Sequence, residues 1–147
     1  MLNNATKYAI RAMVCLAACS DRPIGYREIA RQVGAPEQFT AKILQRLIKS
    51  GLVRSIKGPG GGFRLSDQNP DPRLLDIIVV FEGDDIFTAC GFGLKDCSDA
   101  KPCPLHNQYA RIRALFTSMA AENRLSHLAS KITKGEAYLN QLEVNDF

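Results

Sequence analysis

Two helical patterns joined by Val33-Gly34-Ala35-Pro36, with a glycine-rich hairpin directly behind them, constrain this chain more than any other stretch. Tyr26 to Gln32 reads as a helix that buries Ile29 and Ala30. Pro36 to Ser50 reads as the next, with Ile43, Leu44, Leu47 and Ile48 at helical spacing and Gly51 as its stop. Between them glycine supplies a positive φ and proline starts a helix, so the turn is tight. Helix, tight turn, helix is the helix-turn-helix layout. Leu52 to Lys57 and Phe63 to Ser66 then flank Gly58-Pro59-Gly60-Gly61-Gly62 as two short strands around a turn. A hairpin directly after the third helix is a wing. The expected fold is mainly α with a small β-hairpin wing, a winged helix-turn-helix over residues 1–66.

The rest of the chain alternates helices and a loop. Asn3 or Asn4 caps a first helix through about Ala18, and Ser20-Asp21-Arg22-Pro23 ends it. Arg73–Glu82 is a short apolar helix, and residues 67–103 comprise this connecting helix and a cysteine-containing loop. Residues 104–147 hold a long helix from Pro104 to about Ala121 and a last one from about Arg124 to Asn140. Apolar runs such as Ile77–Phe81 and Cys15–Cys19 are far shorter than the ~20 residues that span a bilayer. The opening MLNNATKYAIRAM lacks the basic-then-apolar layout of a secretion signal. A cytoplasmic protein without membrane contact is expected.

Charge is segregated along the chain. Residues 1–66 carry eleven Lys/Arg against three acidic residues, and residues 67–147 carry eight against twelve, a balance of +8 on −4. A basic first half joined to an acidic second half points to a polyanion-binding module. In a helix-turn-helix the second motif helix enters the major groove with its N-terminal residues on base edges. Gln38, Thr40, Lys42 and Gln45 stand at or near that end, Gln38, Lys42 and Gln45 being the best matched to the groove's donor and acceptor pattern. Arg46 and Lys49, with Tyr8 and Arg11 of the first helix, are candidates for the DNA backbone. In the wing, Lys57 precedes Gly58 and Gly60 in a loop with almost no side chains, which can approach double-stranded DNA closely while the lysine reaches the minor groove. The loop lacks G-x-x-x-x-G-K-[ST] and G-x-G-x-x-G, so a nucleotide-cradling role is weak.

The chemistry-bearing segment is C-x6-C-x5-C-x2-H, formed by Cys90, Cys97, Cys103 and His106. Thiolates and imidazole hold zinc or iron–sulfur clusters, and four donors close a site. In a reducing compartment such a set is a metal or redox site rather than a disulfide framework. Cys15 and Cys19, one turn apart in an alanine-rich run, read instead as small buried hydrophobes. A structural Zn²⁺ would use the same Cys3His set, and without metal two of the three cysteines could form a redox disulfide. A cysteine-nucleophile enzyme with His106 or His127 as base lacks a third orienting group and leaves the basic winged helix unexplained, so no enzyme is expected.

Three stretches resemble the IscR/NsrR-type family of winged-helix iron–sulfur transcription regulators (the Rrf-two family): T-K-Y-A-I-R-A-M-V-C-L-A, L-V-R-S-I-K-G-P-G-G-G-F-R-L-S, and the cysteine run ending C-P-L-H. The resemblance covers essentially the whole chain. It implies a homodimer formed through the long C-terminal helix, acting on a palindromic operator and on RNA polymerase only indirectly at promoters. It also implies a [2Fe–2S] cluster on Cys90, Cys97, Cys103 and His106, the histidine matching the IscR-like members, with redox, iron–sulfur or nitric-oxide status as the signal. Lys57 falls where an arginine commonly enters the minor groove. Ala41 stands where some relatives carry an acidic residue that selects between operators, and the interval from Cys90 to Cys97 is slightly longer than in IscR itself.

Overall fold

The first helix is surrounded by most of the rest. In the computed structural model, which describes residues 2–140, α1 (Asn4–Ala18) buries Thr6, Ala9, Ala12, Met13, Val14, Cys15 and Leu16. Its N-cap is Asn3, whose side chain accepts from Thr6 N at 2.8 Å. A second acceptor arrives from far along the chain: Glu82 Oε1 takes the Asn3 N–H at 2.7 Å and the Thr6 hydroxyl at 2.6 Å. A carboxylate at a helix N-terminus also meets the positive end of the helix dipole.

Helices α2 (Tyr26–Val33) and α3 (Glu37–Lys49) follow, separated by Gly34 at φ 66° and Pro36 at the α3 N-cap. The expected motif is present with its boundaries within one residue. Ile29, Val33, Ile43, Leu44 and Leu47 join Met13 and Leu16 of α1 in one core. Each such side chain contributes about 1.5–3 kcal/mol on burial.

Strands β1 (Val53–Ile56) and β2 (Gly62–Leu65) pair antiparallel, Val53 opposite Leu65 and Arg54 opposite Arg64. Gly61 N donates to Gly58 O at 2.9 Å, closing a turn with Pro59 and Gly60 at its centre. Gly60, at φ 73°, takes the position that favours glycine in a type II turn. Ile24 adds a bridge on the far side of β2, exchanging hydrogen bonds of 3.1 and 2.8 Å with Phe63.

Next, α4 (Leu74–Glu82) buries two faces, which explains its near-continuous apolar sequence. Ile77 and Phe81 face the main core, while Leu74 and Ile78 form a smaller cluster with Ala120. A single 3-10 turn, Asp84–Phe87, leads into the cysteine loop. The long helix α5 (His106–Glu122) starts two residues later than Pro104, because Pro104 and Leu105 form a turn ahead of it. Only His106 and Ala120 of α5 are buried.

The last helix, α6 (Leu125–Thr133), returns to pack on α1, with Leu125 in the main core. Asp71 caps it from across the chain, accepting from Ser126 N at 2.9 Å and Ser126 Oγ at 2.7 Å. It is shorter than the expected Arg124–Asn140. Lys134 is its C-cap and Gly135 turns left-handed at φ 71°, so residues 134–140 continue as irregular chain. Residues 141–147 of the expected 104–147 segment lie outside the described residues.

The wing glycines are not equivalent. A Cβ on Gly60 would meet open space, whereas on Gly62, at φ 148°, it would lie 2.6 Å from the Ile24 carbonyl carbon and oxygen. Gly62→Ala is expected to lower stability by about 2 kcal/mol or more in urea titration, because strain and a backbone clash coincide there. Gly60→Ala, strained only by its φ, should cost about 1 kcal/mol.

Candidate DNA-reading face and cysteine–histidine centre

The amphipathic turn of α3 divides its residues cleanly. Thr40, Ile43, Leu44 and Leu47 point into the core, while Gln38, Lys42 and Gln45, spaced four and three apart, are exposed on one stripe. That stripe begins at the positive end of the α3 dipole, where groups that meet phosphate are favoured. Lys57, Gly58 and Gly60 are likewise exposed at the wing tip, with nothing within 4 Å of a Cβ placed on either glycine.

Four other expected DNA contacts are occupied inside the protein. Thr40 must be removed from the groove-facing set. It is 2% exposed, and its hydroxyl donates to Pro36 O at 2.9 Å, back-bonding within the helix. Arg11 lies over the Tyr8 ring at 4.4 Å and donates to Val33 O at 2.8 Å, and Tyr8 meets Phe39 edge-on at 5.5 Å. These two residues tie α1 to the turn of the motif. Arg46 donates to Val80 O at 2.8 Å and stacks on Phe81 at 4.7 Å, so the recognition helix caps the C-terminal turn of α4.

The cysteine–histidine segment is held at the foot of α5. His106 is the first residue of that helix and is 8% exposed. Its Nδ1 lies 3.4 Å from Cys97 Sγ, and its Nε2 lies 2.7 Å from Asp99 Oδ1. Arg113, two turns along the helix, places both terminal nitrogens 3.4 Å from the same sulfur and donates to Ala89 O at 3.1 Å. Its side chain therefore fastens both sides of the loop to α5. Gly91 lets the loop lie on Tyr109, whose ring a Cβ would overlap.

Cys90 forms the other half. The Phe92 N–H at 3.4 Å and the Leu94 N–H hold its thiol below the ordinary range, with Cys103 adding a smaller hydrogen bond. Of the four donors, Cys97 and His106 are in direct contact. Among the described residues no three His, Cys, Asp or Glu side chains are already drawn together around one point. Cys15 behaves as expected for a buried residue: desolvation pushes its thiol up to about 12, and it donates to Gln32 Oε1 at 3.1 Å.

Asp99 and Arg113 were not singled out from the sequence. A carboxylate in the same loop was the available signal for Asp99, since ligating histidines commonly give their second nitrogen to one. Arg113 gave none, because it lies sixteen residues from the sulfur it touches. Carboxylate, imidazole and thiol in a row also occur in nucleophilic enzymes. Here the Asp99 side chain is fully exposed to solvent, unlike the buried carboxylate that orients a catalytic imidazole.

No described helix is long and apolar enough to cross a membrane. Residues 2–131 match the Rrf2 family, described as an iron-dependent transcriptional regulator. An HTH-type transcriptional regulator of Aquifex aeolicus is 31% identical over 116 residues, covering 78% of this chain and 81% of that protein. The regulator IscR of Vibrio atlanticus is 28% identical over 148 residues, covering 99% and 80%. Among solved structures, CymR, the global cysteine regulator of B. subtilis, superimposes with a TM-score of 0.73 at 28% identity, over 88% of this chain and 96% of that one. T. potens IscR shares the fold at the same TM-score of 0.73 and 22% identity, over 97% and 93%. With its winged helix-turn-helix in place and these regulators as relatives, the chain belongs to the Rrf2 family and is a DNA-binding transcription regulator, not an enzyme.

Proposed function

We propose that this regulator binds a palindromic operator as a homodimer and that a [2Fe–2S] cluster on Cys90, Cys97, Cys103 and His106 sets its affinity. The observation that carries the reading is the placement of all four donors between the end of α4 and the first turn of α5, with Cys97 Sγ already 3.4 Å from His106 Nδ1. Three thiols and an imidazole are suitable donors for such a cluster, and replacing thiolate by imidazole raises its potential. When bound, the cluster supplies one-electron redox chemistry and sensitivity to oxidants or iron loss.

The protein's own residues hold and orient the donors. Asp99 lies 2.7 Å from His106 Nε2, while Nδ1 is turned toward Cys97. Arg113 places positive charge against the Cys97 sulfur and anchors the loop at Ala89. The Phe92 and Leu94 N–H groups favour the thiolate of Cys90, the form that binds metal. Zn²⁺, or thiol oxidation with no metal, remains the alternative use of the same residues, and metal analysis separates them.

The dimer reading rests on α5. Leu105, Tyr109, Ile112, Leu115 and Met119 recur at three- and four-residue spacing and are exposed, Ile112 by 61% and Leu115 by 73%. A continuous apolar stripe along a 17-residue helix, about 25 Å at 1.5 Å per residue, suits a second copy of the same helix. Two recognition helices would then be held at a fixed spacing that small rotations alter. Gln38, Lys42 and Gln45 face the major groove in this reading, and Lys57 reaches the minor groove from a loop that Gly58 and Gly60 let approach the backbone.

Protein purified without oxygen should be coloured and hold about two iron and two sulfide per chain. Cys97→Ala should bleach it while leaving the helical circular dichroism intact; colour retained in that variant would mean other ligands. Lys57→Ala should weaken binding to all DNA sequences alike and reduce the slope of log affinity against log salt by about one. An unchanged slope would take the wing off the phosphate. Leu115→Glu should shift the protein from dimer to monomer in sedimentation, and a persistent dimer would place the interface elsewhere.

A further inference from the structure

At the base of the wing, on residues separate from those assigned to DNA or metal, lies an open cavity of ≈ 170 Å³ lined by the end of α1, the two wing strands and the segment after them. Arg22, Arg54 and Arg64 line it, against the single carboxylate of Asp67. Arg54 and Arg64 are directly paired across the strands. Like charges in that register destabilise a hairpin, so the arrangement calls for a compensating anion.

The acceptors at hand compensate only part of that charge. Arg64 spends one donor on Ser20 O at 2.6 Å, just past the C-terminus of α1. Arg22 is engaged by Glu28 at 3.2 and 2.7 Å, and that hydrogen bonding holds the Glu28 carboxyl below its ordinary range. Arg54 is different. Its Nε is enclosed and lies 3.4 Å from Asp67 Oδ2 in an ion pair, while the side chain as a whole is 42% exposed, so the terminal nitrogens are its groups open to a ligand. Cys19, also in the wall, adds no charge, since burial raises its thiol above the ordinary range.

We propose that this cavity binds a phosphate-type oxyanion, with Arg54 as its principal donor and Arg64 and Arg22 closing around it. The guanidinium fork matches tetrahedral oxyanions and carboxylates through paired N–H bonds, and Ser66 offers a neutral hydroxyl on the same wall. The space has room for one such ion with accompanying water. The oxyanion is either free in solution or a backbone phosphate of the DNA held by the wing. In both cases it neutralises the facing arginines and stiffens the hairpin that carries Lys57.

Titration of the full-length protein with inorganic phosphate, at constant ionic strength set by chloride, tests the free-ion source by calorimetry and phosphorus NMR. Expected are saturable binding of one phosphate per chain, competition by sulfate, and a loss of at least tenfold in affinity for Arg54→Gln. Arg54→Lys keeps the charge without the fork, guards against a folding defect, and should bind with intermediate affinity. If free phosphate does not bind but Arg54→Gln lowers the salt slope of DNA binding by about one, the phosphate is the DNA's. Neither effect, or phosphate binding that Arg54→Gln and Arg54→Lys leave unchanged, overturns the proposal.

Discussion

A helix that is packed on several sides at once must let its neighbours approach closely, and α1 is built for this. Ala9 and Ala12 are small where other elements cross, and Met13 fills the irregular space between them. Helices α2, α3, α4 and α6 and strand β2 all rest on it. Its polar N-terminus is closed by Glu82, the last residue of α4, so that joint is secured by charge-assisted hydrogen bonds as well as packing. One consequence is that the basic first half and the acidic second half share a core: Ile77, Phe81 and Leu125 lie in the same cluster as the helix-turn-helix residues. The recognition helix therefore sits in a frame partly made by elements that lie far beyond the wing in sequence.

Local signals were readable and cross-chain ones were not. Gly34 and Pro36 fix the turn by their own backbone preferences, and Pro59-Gly60 fixes the wing turn, so both elements fall where the sequence places them. The last helix stops short of Asn140 for a local reason as well, since Gly135 at φ 71° is a helix stop signal. Thr40 failed differently. Position alone put it near the recognition end, but at i+3 and i+4 from it Ile43 and Leu44 turn its face inward. Arg11 and Arg46 were legible as cations and not as caps, because their acceptors, Val33 O and Val80 O, are backbone carbonyls twenty-two and thirty-four residues away. The donor set of the cysteine–histidine segment was legible by residue type and spacing; the contacts of Asp99 with His106 and of Arg113 with Cys97 were not.

Those long-range caps give the proposed switch a physical route. The cysteine loop hangs from α4 through Gly83 and a single 3-10 turn, in which Phe87 stacks on Phe116 of α5 at 5.6 Å. The last turn of α4 holds Arg46 of α3 through Val80 O and Phe81, and holds α1 through Glu82. A shift of that turn cannot leave α3 untouched without breaking the Arg46 hydrogen bond to Val80 O. Contiguity alone does not make allostery, which needs contacts that differ between two states. The contacts able to differ are those around Cys97, because the sulfur that Arg113 and His106 now share is also a proposed cluster ligand.

In the proposed dimer, the same reasoning makes the cysteine segment depend on a second chain. With only His106 and Ala120 buried, α5 has little in its own chain to hold it straight. Isolated helices of this length are marginal in water, and most helical stability in proteins comes from packing an apolar face. In the proposed dimer, the stripe through Ile112, Leu115 and Met119 supplies that packing, and Arg113 lies beside it on the same turn as Ile112. A loop fastened to α5 by Arg113 and Tyr109 would then be fastened to the interface itself. Order in the loop and orientation of the two subunits become one mechanical problem, which is the property that a regulator reading two half-sites requires.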